Sequence, residues 1–303
     1  MPITVEQLHP LFAASVSGLD LRNPPNSETV DAIRAAIDRY AVLVFHGQSI
    51  DDQQQLAFGR LFGPLETATL RMLKERNPSL RHPEMNYVSN LNEEGHRLPA
   101  DNRIRMYQLA NRLWHTDSSF KKIPGRYSLL HARVVPPVGG ETEFADLRAA
   151  YDALPEKTRS KIAGLSAEHS LLHSNAQLGL PDVSDEERAA LAGAEQPVVR
   201  IHPTTKRMSL YLASHASHIV GWPVPEGRLL LLDLIEFATQ RSFVYRHSWR
   251  QGDLAMWDNR CTMHRVLHYD DVRFRRDLRR VMVQDMGAPG PDVTMDVRDL
   301  VHP

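Results

Sequence analysis

The hydrophobic residues of this chain arrive in short, strand-length runs spread from one end to the other, and this distribution constrains the fold more than any other feature. "VLVF" at Val42–Phe45, "RYSLLHARVV" before Pro136 and Pro137, "GDLAMWDN" and "DLRRVMVQDM" all read as strands, with a further candidate at "NYVSN". Helical spacing appears between them. Val30, Ile33, Ala36 and Ile37 repeat at the helical period within "SETVDAIRAAIDRY". Ser49 and Asp52 fit a capping-box start for "DDQQQLAFGRLFG", and Ser184 with Glu187 fits another for "DEERAALAG". "LRAAYDALPEKTRSKIAGL" reads as helix broken at Pro155, and "EGRLLLLDLIEFATQ" carries leucines around much of its circumference, which predicts deep packing. Residues Glu66–Arg112 read as long loops, and "GAPGPDV" breaks regular structure near the end. Scattered strands without regular βαβ alternation predict a mainly β fold with flanking helices, a double-stranded β-helix or jelly roll, in one domain over residues 1–303.

Composition narrows the function classes. Lys and Arg total 36 against 37 Asp and Glu, so no excess charge points to nucleic acid or an anionic membrane. Cys261 is the sole cysteine, which excludes an internal disulfide and a thiolate-rich metal site. "MPITVEQLHPLF" lacks a secretory pattern, and no run reaches the roughly 20 apolar residues of a membrane span. The expectation is a cytoplasmic protein that acts on small molecules, with neither nucleic acid nor a membrane as partner.

The chemistry concentrates in "NRLWHTDSSF". In an extended segment residues i and i+2 face the same way, so His115 and Asp117 can aim at one point. A metal ion is one thing they could share; a surface strand with polar side chains would look the same. A second histidine, His264 in "DLAMWDNRCTMHRV", follows a strand candidate far along the chain. Two imidazoles and one carboxylate form the facial triad of non-haem Fe(II) oxygenases, which leaves open positions for other ligands. A structural zinc site would close all four positions, often with thiolates that this chain does not have. Beyond His264, "RFRRDLRRVMVQDM" interleaves Arg273, Arg275, Arg276, Arg279 and Arg280 with Leu278, Val281 and Met282. Some of these guanidiniums then point inward, where a carboxylate is the natural partner; a solvated strand edge is the alternative.

"WHTD", "GGETEF", "WDNRCTMHR" and "RRDLRR" occur in the order and spacing of the TauD/TfdA family of Fe(II)/2-oxoglutarate-dependent dioxygenases, which the chain resembles over most of its length. "VLVFHGQ", "QLAFGRLFGPLE" and "FVYRHSW" fit the same family. "LWHTDSSF", "PPVGGETEFADLRAAYDALP" and "HASHIVG" look closest to its 2,4-dichlorophenoxyacetate dioxygenases. The resemblance implies Fe(II) held by His115, Asp117 and His264. It also implies 2-oxoglutarate as cosubstrate, its distal carboxylate held by Thr142 and Arg276. Arg280 would meet an acidic group on the primary substrate. On a regular strand Arg276 and Arg280 share a face, leaving Arg275 and Arg279 to solvent. Asn111 matches a substrate-side Asn of the family, or is a loop residue. His202 would add a second donor to a substrate carboxylate, or is a loop histidine in water. Trp257 lies near the iron or is a core indole. Arg71 stands where the phenoxyacetate enzymes tend to carry Lys, and His215 and His218 are not needed as ligands.

The implied reaction is hydroxylation of an aryloxyalkanoic acid beside its ether oxygen, giving a phenol and glyoxylate or another 2-oxo acid, with succinate and CO2. Dioxygen and a small carboxylate are the partners, and the family's habit implies a homo-oligomer. The same chemistry on a sulfonate such as taurine or on a sulfate ester is the nearest alternative. A non-catalytic metal- or ligand-binding jelly roll is the alternative of another class.

Overall fold

Alternation along four apolar strands produces two buried faces from one sheet. In the computed structural model, which describes residues 3–68, 82–92, 94–180 and 183–287, these are β3 (Val42–Phe45), β5 (Gly125–Val134), β13 (Leu254–Asp258) and β15 (Asp277–Gln284). With β1 (Thr4–Gln7), β2 (Ala14–Ser17) and β4 (Met85–Ser89) they build a seven-stranded sheet in the order β1-β2-β3-β13-β5-β15-β4. Leu43, Phe45, Leu129 and Met256 face outward, beneath α1 (Ser27–Tyr40) and α2 (Asp52–Arg60). Val42, Leu130, Ala255, Trp257 and Leu278 turn the other way, onto Phe144 of a smaller sheet. That sheet runs β12 (Val244–His247), β6 (Thr142–Asp146), β14 (Thr262–Val266), all antiparallel. The period-2 burial explains why these strands are apolar on both faces: each contributes to a core on either side. The result is the jelly roll with flanking helices that the run pattern predicts.

A third sheet, β11 (Ala216–Ile219)–β7 (Ser166–His169)–β8 (Ala194–Pro197), and the pair β9 (Val199–Ile201)–β10 (Met208–Leu210) extend the molecule beyond the small sheet. They share a core with α4 (Leu147–Ala153), α5 (Glu156–Ile162) and α8 (Val224–Ala238). Three short helices, α3 (Arg103–Gln108), α6 (Leu171–Gln177) and α7 (Asp185–Ala190), complete the described chain. Among the described residues no helix is long and apolar enough to cross a membrane.

Three expectations need correction, and three fall outside the described residues. The cap of α2 is Asp51 with Gln54, not Ser49 with Asp52. The Asp51 carboxylate accepts from Gln54 N at 2.8 Å, and Gln54 Oε1 accepts from Asp51 N at 2.9 Å, so the box lies two residues later than read. Helix α8 buries Leu230, Leu231 and Leu234 but leaves Leu229 and Leu232 61% exposed, so it is packed on one side only. The 66–112 segment holds the expected strand at "NYVSN" as β4, and it is not otherwise all loop: α3 and a 3-10 turn, Leu109–Arg112, lead into the histidine segment. Asn102 caps α3 by accepting from Arg105 N, a local signal that lies inside a stretch with little apolar periodicity. Arg71, the side chain of Glu187 and "GAPGPDV" beyond Gly287 lie outside the described residues.

Candidate metal centre and its surroundings

His115 and His264 are joined through their main chains. His115 N donates to His264 O at 3.0 Å and His264 N donates to His115 O at 2.8 Å, an isolated antiparallel bridge between the "WHTD" segment and β14. Local extension does what the i, i+2 argument requires. Thr116 points away, its hydroxyl on Leu212 O and Thr262 O, while His115 and Asp117 converge on the other side. The chain then turns, with Ser118 in the left-handed region at φ 54°. One nitrogen from each histidine and one Asp117 oxygen lie within 4.8 Å of one another, and all three side chains are buried. His115 Nε2 stands 3.8 Å from Asp117 Oδ1, and His264 Nε2 stands 3.7 Å from Asp117 Oδ2.

This donor set fits a divalent metal. His115 Nδ1 must carry its proton, because it donates to Leu113 O at 2.8 Å, which leaves the lone pair on Nε2. That Nε2 is buried with no hydrogen-bond partner. The His264 ring is held between Trp257, 4.6 Å away centre to centre, and Phe144, 6.1 Å away. Burial, with His115 close by, holds the His264 imidazole well below its ordinary range, and burial lowers His115 too, so both rings are neutral and able to ligate. Burial pushes the Asp117 carboxyl up, but Arg280, His264 and His115 outweigh it and keep it ionised. A second triple, His202, Asp258 and Cys261, is equally close, but its groups are already engaged with their neighbours. Its Asp258 is paired with Arg260 and its thiol is pushed up by burial.

Around the triad the strands deliver a polar scaffold. Asp117 Oδ2 accepts from Ser128 Oγ of β5 at 2.7 Å, and Asp117 N donates to Asn259 Oδ1. Arg280 of β15 donates from Nη1 to Asp117 Oδ1 at 2.5 Å, while its Nε is buried without a partner. Arg276, just before β15, is 4% exposed and has no carboxylate within ion-pair range among the described residues. Its guanidinium donates to Gly140 O at 3.3 Å and lies 5.7 Å from the Tyr269 ring centre, and burial pushes it down to about 10. A Cβ at Gly140 would come within 3.3 Å of Arg276 Nε, so glycine is what lets the guanidinium lie there. Two residues on, Thr142 is buried at the start of β6, and its Oγ1 accepts from Trp249 Nε1 at 3.0 Å, so its own proton is free for another acceptor.

The other sequence candidates separate. Asn111 sits half-buried in the 3-10 turn ahead of His115 and makes no side-chain hydrogen bond among the described residues. His202 is not part of this site. Its Nδ1 accepts from Thr205 N at 3.2 Å, so Nε2 carries the proton and donates it to Asp258 Oδ2 at 3.1 Å. With both nitrogens used and the side chain fully buried, it has no donor left for a substrate acid. Arg275 is exposed as expected, but Arg279 is not solvated: it stacks over Tyr87 at 3.8 Å and pairs with Asp277. Trp257 is a fully buried core indole, its ring centre 4.6 Å from that of His264. His218 lies toward the surface beside Glu168, whereas His215 is buried 6.1 Å from His115, ring to ring. The His215 ring also meets Phe120 at 5.0 Å, and Phe120 heads an apolar group with Val183, Leu191, Tyr107, Leu171 and Leu172. Sequence reading missed Ser128, Asn259 and His215 as neighbours of the triad. A serine inside the apolar run "YSLLHA" was the available signal for the first.

Comparison with known proteins agrees with this geometry. Residues 4–282 match the family model described as taurine catabolism dioxygenase TauD, TfdA family. The chain is 47% identical over 285 residues to the alpha-ketoglutarate-dependent 2,4-dichlorophenoxyacetate dioxygenase of Cupriavidus pinatubonensis, covering 94% of this chain and 99% of that protein. It is 36% identical over 279 residues to the (S)-phenoxypropionate/alpha-ketoglutarate-dioxygenase of Sphingobium herbicidovorans, covering 89% and 91%. The crystal structure of AAD-2 in complex with Mn(II) and N-oxalylglycine superposes with a TM-score of 0.87 at 48% identity, over 96% of this chain and 99% of that one.

Proposed function

The chain belongs to the TauD/TfdA family of non-haem Fe(II)/2-oxoglutarate-dependent dioxygenases, and we propose that it hydroxylates an aryloxyalkanoic acid at the carbon beside the ether oxygen. The observation that carries the reading is the convergence of His115, Asp117 and His264 beside two arginines with unspent buried donors. In this reading the triad holds the iron. Arg276 and Thr142 hold the distal carboxylate of 2-oxoglutarate, the first with a charge that has no carboxylate partner among the described residues and the second with a hydroxyl proton already turned away from Trp249. Arg280 reaches the site from the next register of β15, and its free Nε is suited to the substrate's acid, fixing which C–H bond faces the metal. Asn111, in the turn four residues before His115, is the further candidate for the substrate side. The apolar group around Phe120, reached from His115 through His215, supports an aryl ring rather than a small aliphatic sulfonate.

Bound iron supplies dioxygen activation coupled to decarboxylation of 2-oxoglutarate to succinate and CO2. The protein's own part is positioning and exclusion of water. Hydroxylation beside the ether oxygen makes a hemiacetal, which breaks to a phenol and a 2-oxo acid. The single buried cysteine suits a reducing cytoplasm, and Leu229 and Leu232, exposed side by side on α8, support a homo-oligomer.

The test is succinate formation with Fe(II), 2-oxoglutarate and ascorbate against phenoxyacetate, a chlorinated phenoxyacetate, a 2-phenoxypropionate and taurine. An aryloxy acid that stimulates succinate and releases phenol in equal amount is the expected result. Stimulation by taurine alone would move the substrate to sulfonates, and full activity in Asp117→Ala would refute the ligand assignment.

A further inference from the structure

Arg280 holds Asp117 Oδ1, and the remaining groups that hold Asp117 form a closed hydrogen-bond circuit whose direction leaves no choice. Asn259 Oδ1 accepts from two N–H groups that can only donate, Asp117 N at 3.2 Å and Trp257 Nε1 at 3.0 Å. This fixes the amide orientation, so Asn259 Nδ2 faces Ser128 and donates to its Oγ at 2.9 Å. Ser128 Oγ then has one proton to give, and it goes to Asp117 Oδ2 at 2.7 Å. The path begins and ends on one residue: from the Asp117 amide, through Asn259 and Ser128, back to the Asp117 carboxylate. Asn259 is tied down in turn by its own amide on Arg126 O at 2.8 Å.

No water can stand in for these contacts. Ser128, Asn259 and Trp257 are all 0% exposed, and Asp117 is 4% exposed. The space beside them is filled to the limit. A Cβ on Gly125 would lie 3.2 Å from Asp117 O and 3.4 Å from Asn259 Nδ2. The circuit also joins two strands and a turn, since Ser128 comes from β5, Trp257 from β13, and Asn259 from the turn between β13 and β14.

We propose that Ser128 and Asn259 are positioning residues that fix the orientation of the Asp117 carboxylate and thereby set the affinity of the triad for its divalent metal. This rests on Asp117 being a metal ligand. A free carboxylate rotates about its terminal torsion with little preference, so a ligand that must meet two fixed imidazoles gains from being held in advance. Ser128 holds one oxygen, and Asn259 holds both Ser128 and the Asp117 backbone.

The experiment titrates the metal-free full-length protein with Co(II) and reads the dissociation constant and the visible Co(II) bands, with thermal melting of the metal-free form alongside. Ser128→Ala is expected to bind Co(II) about 10- to 100-fold more weakly, the usual cost of losing a partner of a metal ligand, with altered bands and a nearly unchanged metal-free melt. Asn259→Asp offers Ser128 a competing acceptor and should weaken binding through the same hydroxyl. The double variant should then be no weaker than the weaker single one. If Asn259→Asp does not fold, Ser128→Ala carries the test alone. Co(II) affinity in Ser128→Ala within about twofold of the parent, with the same bands, would overturn the proposal. Equal Co(II) affinity in the parent and Asp117→Ala would instead overturn the ligand assignment beneath it.

Discussion

Replacing Arg276 by Met should make the ligand-free protein more stable while removing its grip on 2-oxoglutarate. Burial pushes Arg276 down to about 10. At about 1.4 kcal/mol per tenfold change in proton affinity, holding that guanidinium charged inside the fold costs on the order of 3 kcal/mol against an ordinary value near 12.5. Little is returned: one bond of 3.3 Å to Gly140 O, a tyrosine ring at 5.7 Å, and a buried Nε with no partner. Methionine fills much of the same volume without the charge, so Arg276→Met should gain about 1–3 kcal/mol, in line with hydrophobic replacement of poorly compensated buried ions. Urea unfolding of metal-free parent and variant measures this directly. The second half of the prediction uses the cosubstrate. At a hundred times its dissociation constant, with metal present, 2-oxoglutarate should stabilise the parent by about 2.7 kcal/mol. The variant should gain almost nothing, because losing one partner of a buried charge-assisted pair costs about 2–5 kcal/mol of binding. A variant less stable than the parent in the absence of ligand, or one still stabilised by 2-oxoglutarate, would refute the reasoning. Arg148 is the internal contrast: equally buried, it is forked onto Asp146 and bonded to Asp38 O, so Arg148→Met should lose about 3–5 kcal/mol by the same measurement.

Three further outcomes are expected. Burial holds His131 down at about 4 and His169 well below its ordinary range, so both stay neutral in the fold while the unfolded chain takes up protons below about 6.5. Stability should therefore fall as pH drops from about 6.5 toward 4, by about 1 kcal/mol per histidine per pH unit, and denaturation midpoints equal at pH 7.0 and 5.5 would count against it. Gly140 has a φ of 75°, and an added Cβ would lie 3.1 Å from Pro136 Cγ and 3.3 Å from Arg276 Nε. Gly140→Ala should thus cost about 1–2 kcal/mol and raise KM for 2-oxoglutarate more than it lowers kcat; an unchanged KM would show that Arg276 does not depend on this glycine. Co(II) at a hundred times its dissociation constant should raise parent stability by about 2.7 kcal/mol, and His115→Ala should abolish that gain in the same melting experiment.

What could be read from the sequence was whatever repeats locally or recurs as a fixed spacing. The central strands declare themselves because each must be apolar on both faces, and His115 and Asp117 because extended chain puts i and i+2 on one side. Failures came where a partner lies far along the chain. His202 sits in a polar loop motif, yet its environment is set by Asp258, which nothing near "RIHPTTKR" announces. Arg279 alternates away from Arg280 as the strand period requires, but the face it turns to holds Tyr87, so it is packed rather than solvated. The Asn259–Ser128 circuit joins two strands and a turn and has no local spacing at all, although Asn259 stands two residues from Trp257 in the motif that carries His264. In α8 the run of leucines exceeds what one face can bury, and composition alone does not say which members are left outside.

The main-chain bridge between His115 and His264 has a topological consequence. It pins together two points separated by about 150 residues, a span whose closure in a free chain would cost several kcal/mol of entropy. Within that span β5, β6, β12 and β13 belong to the two core sheets, while the third sheet, α6 and α7 lie outside them. The outer segments that pack on Phe120 are therefore expected to change length or sequence without moving the extended His115 segment and β14, which carry the imidazoles. On the proposed function, selectivity and chemistry would then sit on separable pieces of one chain, and grafting the 171–193 segment between relatives is expected to alter substrate range while leaving Co(II) binding unchanged.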